Sequence, residues 1–149
     1  MPSVNCGYDD PHKGCGLLVS YGPSLLVNIG FDPKYKPEDQ TPPRPGIASV
    51  EALVDTGALE SCIDSLLAAQ LSLPIFDRRK VIGVHGAEEV NMHLAQIHVP
   101  ALKFTVHGEF AAVPLVESGL GYKALIGRTF LRHVTMTYDG RTGGVKISY

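Results

Sequence analysis

Apolar residues in this 149-residue chain fall in short runs separated by glycine, proline, asparagine and aspartate. Runs of that length, recurring at roughly 8–12-residue intervals, predict a mostly β domain of barrel or sandwich type. Gly16 to Val19 and Leu25 to Ile29 read as a hairpin across Tyr21-Gly22-Pro23-Ser24. Val50 to Val54, Lys80 to Val84 and Val90 to Val99 follow as strands. Leu102 to Val106 and Phe110 to Val116 read as a second hairpin across His107-Gly108-Glu109. Val134 to Tyr138 and Val145 to Ile147 form a closing one. Helical spacing appears at Ile63, Leu66, Leu67, Ala68 and Leu71, which predicts a short helix stopped by Pro74. Thr129 to His133 suits a single turn capped by Thr129.

Residues 1–14 mix glycine, aspartate, asparagine and proline and are expected to form a loosely ordered tail. Residues 15–149 then make one domain, with a proline-rich loop from Phe31 to Gly46. Its five prolines remove backbone donors and hold their predecessors extended, so this stretch is expected at the surface.

Composition narrows the function classes. Apolar residues make up 44% of the chain, enough for a core, while charged residues are 19% and net charge is −2. Arg78-Arg79-Lys80 is the densest basic spot and reads as a solvated turn, so no nucleic-acid partner is expected. Met1 to Lys13 has no apolar signal segment, and Leu17 to Phe31 is too short and too polar to span a bilayer. The expectation is a cytoplasmic protein with no membrane partner. Cys6, Cys15 and Cys62 are an odd number and are expected as free thiols.

No cofactor or metal is expected. Cys6, His12 and Cys15 lack a fourth ligand, and His85, His93, His98 and His107 fall into no metal-ligand spacing. A serine nucleophile lacks its G-x-S-x-G turn, and Cys62 has an apolar setting without a base.

The chemistry-bearing pattern is Asp55-Thr56-Gly57-Ala58, placed directly after the apolar run that ends at Val54. Alone, such an aspartate is as well explained as a turn carboxylate accepting backbone N–H bonds. A second signature, Ala124-Leu125-Ile126-Gly127-Arg128, changes the balance, although Gly127 and Arg128 also suit a tight corner with an anchoring side chain. The two together resemble the retroviral-type (retropepsin-like) aspartic proteases, in the single-domain form found in bacteria and other cells. The closing Tyr138-Asp139-Gly140-Arg141-Thr142-Gly143 shares that likeness, which extends over roughly Gly16 to Tyr149.

The resemblance implies an all-β fold, a closed barrel-like half with a short helix, that works as a homodimer on a peptide or protein substrate. It implies that Asp55 is catalytic, that the Thr56 hydroxyl reaches across the two-fold axis, and that Gly57 binds substrate backbone. Ala58 and Leu59 would also face substrate, with Gly83, Val84, His85 and Gly86 on a hairpin flap that closes over it. Gly127, Arg128 and Glu60 would be structural support.

Metal-free amide hydrolysis needs one group to deprotonate water and another to protonate the carbonyl oxygen, and two carboxylates sharing a proton do both. The chain has one such triplet: Asp64-Ser65 is followed by Leu66, and Asp139-Gly140 lacks the hydroxyl residue. If Asp55 is catalytic, its partner is therefore expected to be Asp55 of a second copy. One departure stands out: the viral pattern has an aspartate at position 59, which pairs with the later arginine, and this chain has Leu59. Arg128 then needs Glu60, a carbonyl or the partner subunit. A non-catalytic dimerisation or peptide-binding module with the same fold is the alternative.

Overall fold

Alternation of side chains builds the first long strand of the barrel. In Ser24–Gly30 (β2), Leu25, Val27 and Ile29 are buried while Leu26 faces solvent. The computed structural model describes residues 1–83 and 86–149. Its other strands are Ser3–Asn5 (β1), Ile47–Val54 (β3), Cys62–Asp64 (β4), Ile75–Gly83 (β5), Gly86–Val99 (β6), Phe104–Val113 (β7), Ala124–Ile126 (β8), Thr135–Asp139 (β9) and Gly144–Ser148 (β10). Helices span Gly14–Tyr21 (α1), Ser65–Gln70 (α2) and Arg128–Leu131 (α3).

The large sheet runs β2-β3-β8-β4-β7-β6-β5, and β2 also pairs with β6, so six strands close on themselves and β5 continues outward from β6. Of the barrel or sandwich expected from the short strands, this is the closed, barrel-like form that the family resemblance implied. Two pairings within it, β3 with β8 and β4 with β7, are parallel. Val27, Ile29, Ile63, Ile97, Leu102, Ile126 and Phe130 fill the interior. The proline-rich loop is tied to the barrel by the buried Gln96. Its Oε1 accepts the Asp32 N–H at 2.7 Å, and its Nε2 donates to the Asp32 carbonyl at 3.2 Å.

A second sheet, β1-β10-β9, corrects the expectation of a loose N-terminus. Ser3–Asn5 pairs with Ser148–Lys146, and Cys6 is buried. Backbone meets backbone closely here: a Cβ on Gly143 would lie 2.3 Å from Gly14, and one on Gly7 would lie 2.3 Å from the Gly143 carbonyl. The expected hairpin from Gly16 to Ile29 is also corrected, because its first arm is helix α1. Leu18 is buried beneath that helix, and Gly22 ends it at φ +72° by donating its N–H to the Leu18 carbonyl.

Leu102 to Val116 was expected as a hairpin, yet β7 passes straight through His107-Gly108-Glu109. It pairs with β6 without a break from Met92–Ala111 to Val99–Phe104. Fourteen-residue β6 needs a long partner, and that pairing outweighs the local turn preference of a histidine-glycine-glutamate step. Thr129 does not cap α3: the cap position is Gly127 and carries no side-chain bond.

Candidate active site

Strands β3 and β8 lie parallel and in register, Ala52 beside Ala124, Leu53 beside Leu125 and Val54 beside Ile126. Two runs distant in sequence therefore end at the same rim of the barrel. Asp55 follows one, Gly127 follows the other, and the Asp55 N–H donates to the Ile126 carbonyl at 2.9 Å.

The Asp55 turn is closed by its own backbone. Asp55 Oδ1 accepts the Gly57 N–H at 2.9 Å, and the Asp55 carbonyl accepts the Ala58 N–H at 3.2 Å. A side chain on Gly57 would put a Cβ 3.1 Å from that Oδ1, crowding the carboxylate. Three further bonds join the turn to the start of α3. Ala58 O accepts from Arg128 N at 2.9 Å, Leu59 O from Thr129 N at 3.0 Å, and Ser61 Oγ from Gly127 N at 3.0 Å.

Gly127 is required by space. A Cβ there would lie 2.5 Å from the Glu60 carbonyl oxygen and 3.0 Å from that of Ala58. Of the partners expected for Arg128, the one present is a carbonyl: its Nη1 donates to Thr56 O at 2.9 Å, across 72 residues of sequence. Arg128 is exposed in the protomer, and among the described residues no ion pair joins it to Glu60. Leu59 is 64% exposed and faces away from the core.

Asp55 itself is half-buried, at the floor of a pocket of about 440 Å³ lined by Pro23, Val54, Asp55, Thr56, Met136 and Tyr138. Behind the loop, burial first, then the charges of Glu60 and Asp55, push the Cys62 thiol up to about 11. It stays protonated at neutral pH and is a poor nucleophile.

The structure thus brings together Asp55, Thr56, Gly57, Ala58, Leu59, Glu60, Gly127 and Arg128. The hairpin residues Gly83 and Gly86 pair with each other across β5 and β6; Val84 and His85 lie outside the described residues. Residues 86–89 and 75–80 are exposed, so this hairpin stands off the barrel. Among the histidines, His93 Nδ1 meets the Leu73 carbonyl at 2.8 Å and His98 Nδ1 meets Thr105 Oγ1 at 2.8 Å. No cluster of three metal-ligating side chains occurs among the described residues, and none of their helices is long and apolar enough to cross a membrane.

Sequence reasoning missed Ser61, whose buried hydroxyl fixes Gly127, and the pocket walls Pro23, Met136 and Tyr138. It weighed Asp64 only as a failed second triplet. Asp64 is a buried cap: Oδ2 accepts from Leu67 N at 3.2 Å, starting α2, and Oδ1 accepts from Val116 N at 3.1 Å. The Asp64-to-Leu67 spacing was the available signal for that role.

No curated protein sequence matches the chain. Among solved structures it is similar to a retropepsin-like aspartic protease from Rickettsia conorii, at TM-score 0.53 and 10% identity, over 98% of this chain and 92% of that one. It is also similar to EIAV protease complexed with the inhibitor HBY-793 (TM-score 0.47, 18% identity, 74% of this chain and 86% of that one). A third similar structure is simian foamy virus (mac) protease (0.46, 16%, 73% and 91%). The Rickettsia structure supports a shared fold, and the sequence family described as "gag-polyprotein putative aspartyl protease" matches residues 46–133, which hold both the Asp55 turn and Gly127-Arg128. The chain belongs to this family of retropepsin-like aspartic proteases.

Proposed function

We propose that the protein is an aspartic endopeptidase whose active site forms where two copies meet about a two-fold axis, each supplying Asp55. The observation that carries this reading is a half-exposed Asp55 carboxylate, held by the Gly57 N–H, in a pocket whose other walls include no acid. A lone carboxylate can act as base or as acid, while hydrolysis needs both at once.

With one proton shared between the two Asp55 side chains, the ionised carboxylate takes a proton from water. The resulting hydroxide equivalent adds to the peptide carbonyl carbon as the protonated partner gives its proton to the carbonyl oxygen. The dyad then gives its proton to the leaving nitrogen while its ionised carboxylate takes one from a hydroxyl of the tetrahedral gem-diol, so that the C–N bond breaks, an acid and an amine leave, and one shared proton remains. Thr56 would tie the two turns across the axis, and Gly57 would hold the substrate backbone. Ala58 adds no hydroxyl beside the dyad. Leu59 offers the substrate an apolar wall where the viral enzymes carry a charge, and Arg128 holds the turn through Thr56 O. The hairpin in which Gly83 pairs with Gly86 would close over the peptide, with Val84 and His85 the other residues expected to contact it. Cys6, Cys15 and Cys62, all unpaired, fit a reducing, cytoplasmic setting.

The test is cleavage of an unbiased peptide library from pH 3 to 8 by wild type and Asp55→Asn. Wild type should give a bell-shaped profile, since two protons remove the base and none removes the acid. The variant should lose at least about 10³-fold in rate with fold and dimerisation intact. Equal cleavage by both would remove Asp55 from the chemistry. No cleavage by either, with a dimer formed, would favour the non-catalytic binding module.

A further inference from the structure

The hairpin β5-β6 has a cavity of about 610 Å³ at its base, between Ala68 and Ala69 of α2, the hairpin residues Arg78, Asn91 and His93, and Ala112 at the end of β7. Small-molecule sites are usually roughly 300–1,000 Å³. None of the residues around this cavity lines the Asp55 pocket. We propose that it binds a small neutral aromatic molecule bearing one N–H or O–H donor, an indole or a phenol, with His93 Nε2 as the acceptor of that donor. The bound ring clamps the base of the hairpin to α2.

His93 carries the argument. It is 6% exposed, and its Nδ1 lies 2.8 Å from the Leu73 carbonyl. A carbonyl oxygen can only accept, so Nδ1 holds the proton and Nε2 of the neutral ring is a lone pair. The ring is held in that direction because the segment it binds is itself tied down. The Leu73 N–H donates to Ala68 O at 3.1 Å, and the Leu94 N–H donates to Pro74 O at 2.9 Å. No described residue bonds Nε2, yet among the described residues no fully enclosed side-chain nitrogen is left without a partner. Nε2 therefore keeps open surface, and the opening beside His93 is this cavity. An acceptor sunk in a cavity and met by no protein donor is satisfied by a donor on a ligand.

The other walls select the rest of the molecule. Leu73, Ala112 and Pro114 join the two alanines of α2 in giving the ring apolar contact. Arg78 and Glu89 meet at 3.6 Å and offset each other, and Glu88 is exposed, where water and salt screen its charge. A neutral ring suits these walls better than an acid or an amine. Seated there, it touches α2 on one side and both hairpin strands on the other. Its effect on closure over a peptide rests on reading the hairpin as the flap; its binding does not.

The experiment titrates isotope-labelled full-length protein with indole and, separately, with benzothiophene, which has the same shape with sulfur in place of N–H. Indole should shift the amides of Ala68, Ala69, Asn91 and His93 together with the His93 Nε2 resonance. It should bind about three- to tenfold tighter than benzothiophene. His93→Phe should bring the two affinities together. Ala69→Phe, which fills the cavity from an exposed helix position, should abolish the shifts, and it keeps the test open if His93→Phe does not fold. With indole bound, the amides of Val81 and Val90 should exchange more slowly with solvent. Shifts that centre elsewhere, equal affinity for the two probes, or undiminished binding by Ala69→Phe would overturn the site. Binding without slower exchange would overturn the clamp. Peptide cleavage enters none of these readouts, so failure of the endopeptidase reading leaves the site standing.

Discussion

The Asp55 junction and the N-terminal segment are both built from close backbone contact, yet the first was readable from sequence and the second was not. At the junction, each signature is a contiguous string whose residues do local work. Asp55 binds Gly57 two residues on, and Gly127 supplies the space that Glu60 and Ala58 need. In the N-terminal segment the corresponding fit is spread over the whole chain. Gly7 and Gly14 meet Thr142 and Gly143, and β1 finds its partner at the opposite terminus. Isolated glycines and a three-residue strand carry no recognisable pattern, so the same physics left no trace that a reading along the chain could follow.

Substituting one glycine in each region sharpens that comparison. Gly143→Ala combines a positive φ of +88° with a Cβ 2.3 Å from the Gly14 backbone. It should cost about 2–4 kcal/mol and expose residues 1–22 to proteolysis before the barrel. Gly127→Ala faces the Glu60 carbonyl at 2.5 Å without backbone strain, and should cost about 1–3 kcal/mol. Its damage should fall on peptide cleavage, with residues 1–22 still protected. Denaturant unfolding with limited proteolysis separates the two, and matching proteolytic patterns would show that the regions unfold as one.

Ser61→Ala probes the junction more gently. It leaves the buried Gly127 N–H without its acceptor and should cost about 1–2 kcal/mol in denaturant unfolding. No change would mean that the Ser61 bond adds nothing to what the neighbouring backbone bonds already hold.

The smallest effect is expected at the proline-rich loop, which mixes the two kinds of contact. Asp32 accepts the Arg44 N–H at 3.0 Å across the loop and the Lys34 N–H at 2.9 Å within it. The Arg44 N–H first, then that of Lys34, hold the Asp32 carboxyl below the usual carboxylate range. Its ionised form is thus favoured by folding, so its contribution is present above the unfolded-state pKa and lost as pH falls through the folded one. Amide protection at Lys34 and Arg44 should decline below about pH 4 in wild type. Asp32→Asn should lose that protection at every pH in hydrogen exchange.

How much was legible follows from these cases. The β-rich frame, the closing hairpin and the Asp55 turn were carried by apolar runs and local turn chemistry, while the choice of barrel over sandwich and the union of that turn with Gly127-Arg128 came from the family resemblance. Two of the misreadings share one cause. A hairpin was expected wherever turn residues interrupted apolar ones, at Tyr21 to Ser24 and at His107 to Glu109, and in each case a tertiary partner decided otherwise. Leu18 docks a helix in the first, and the long edge of β6 straightens the second. The bond from Arg128 to Thr56 O was one of three outcomes left open by Leu59, and only the packed turn distinguishes it. Pro23, Met136 and Tyr138 became visible as pocket walls once three separate segments were brought together.

The central claim is that one active site needs Asp55 from two chains, and mixing tests it most directly. Wild-type protein at a fixed concentration above its dimer dissociation constant is re-equilibrated with an equal amount of Asp55→Asn, and peptide cleavage is measured. If the site is shared, random pairing places half of the wild-type chains in dead mixed dimers, and activity should fall to roughly half, declining further as more variant is added. Activity unchanged by any excess of Asp55→Asn, with mixed dimers present, would mean that each chain works alone and would contradict the account.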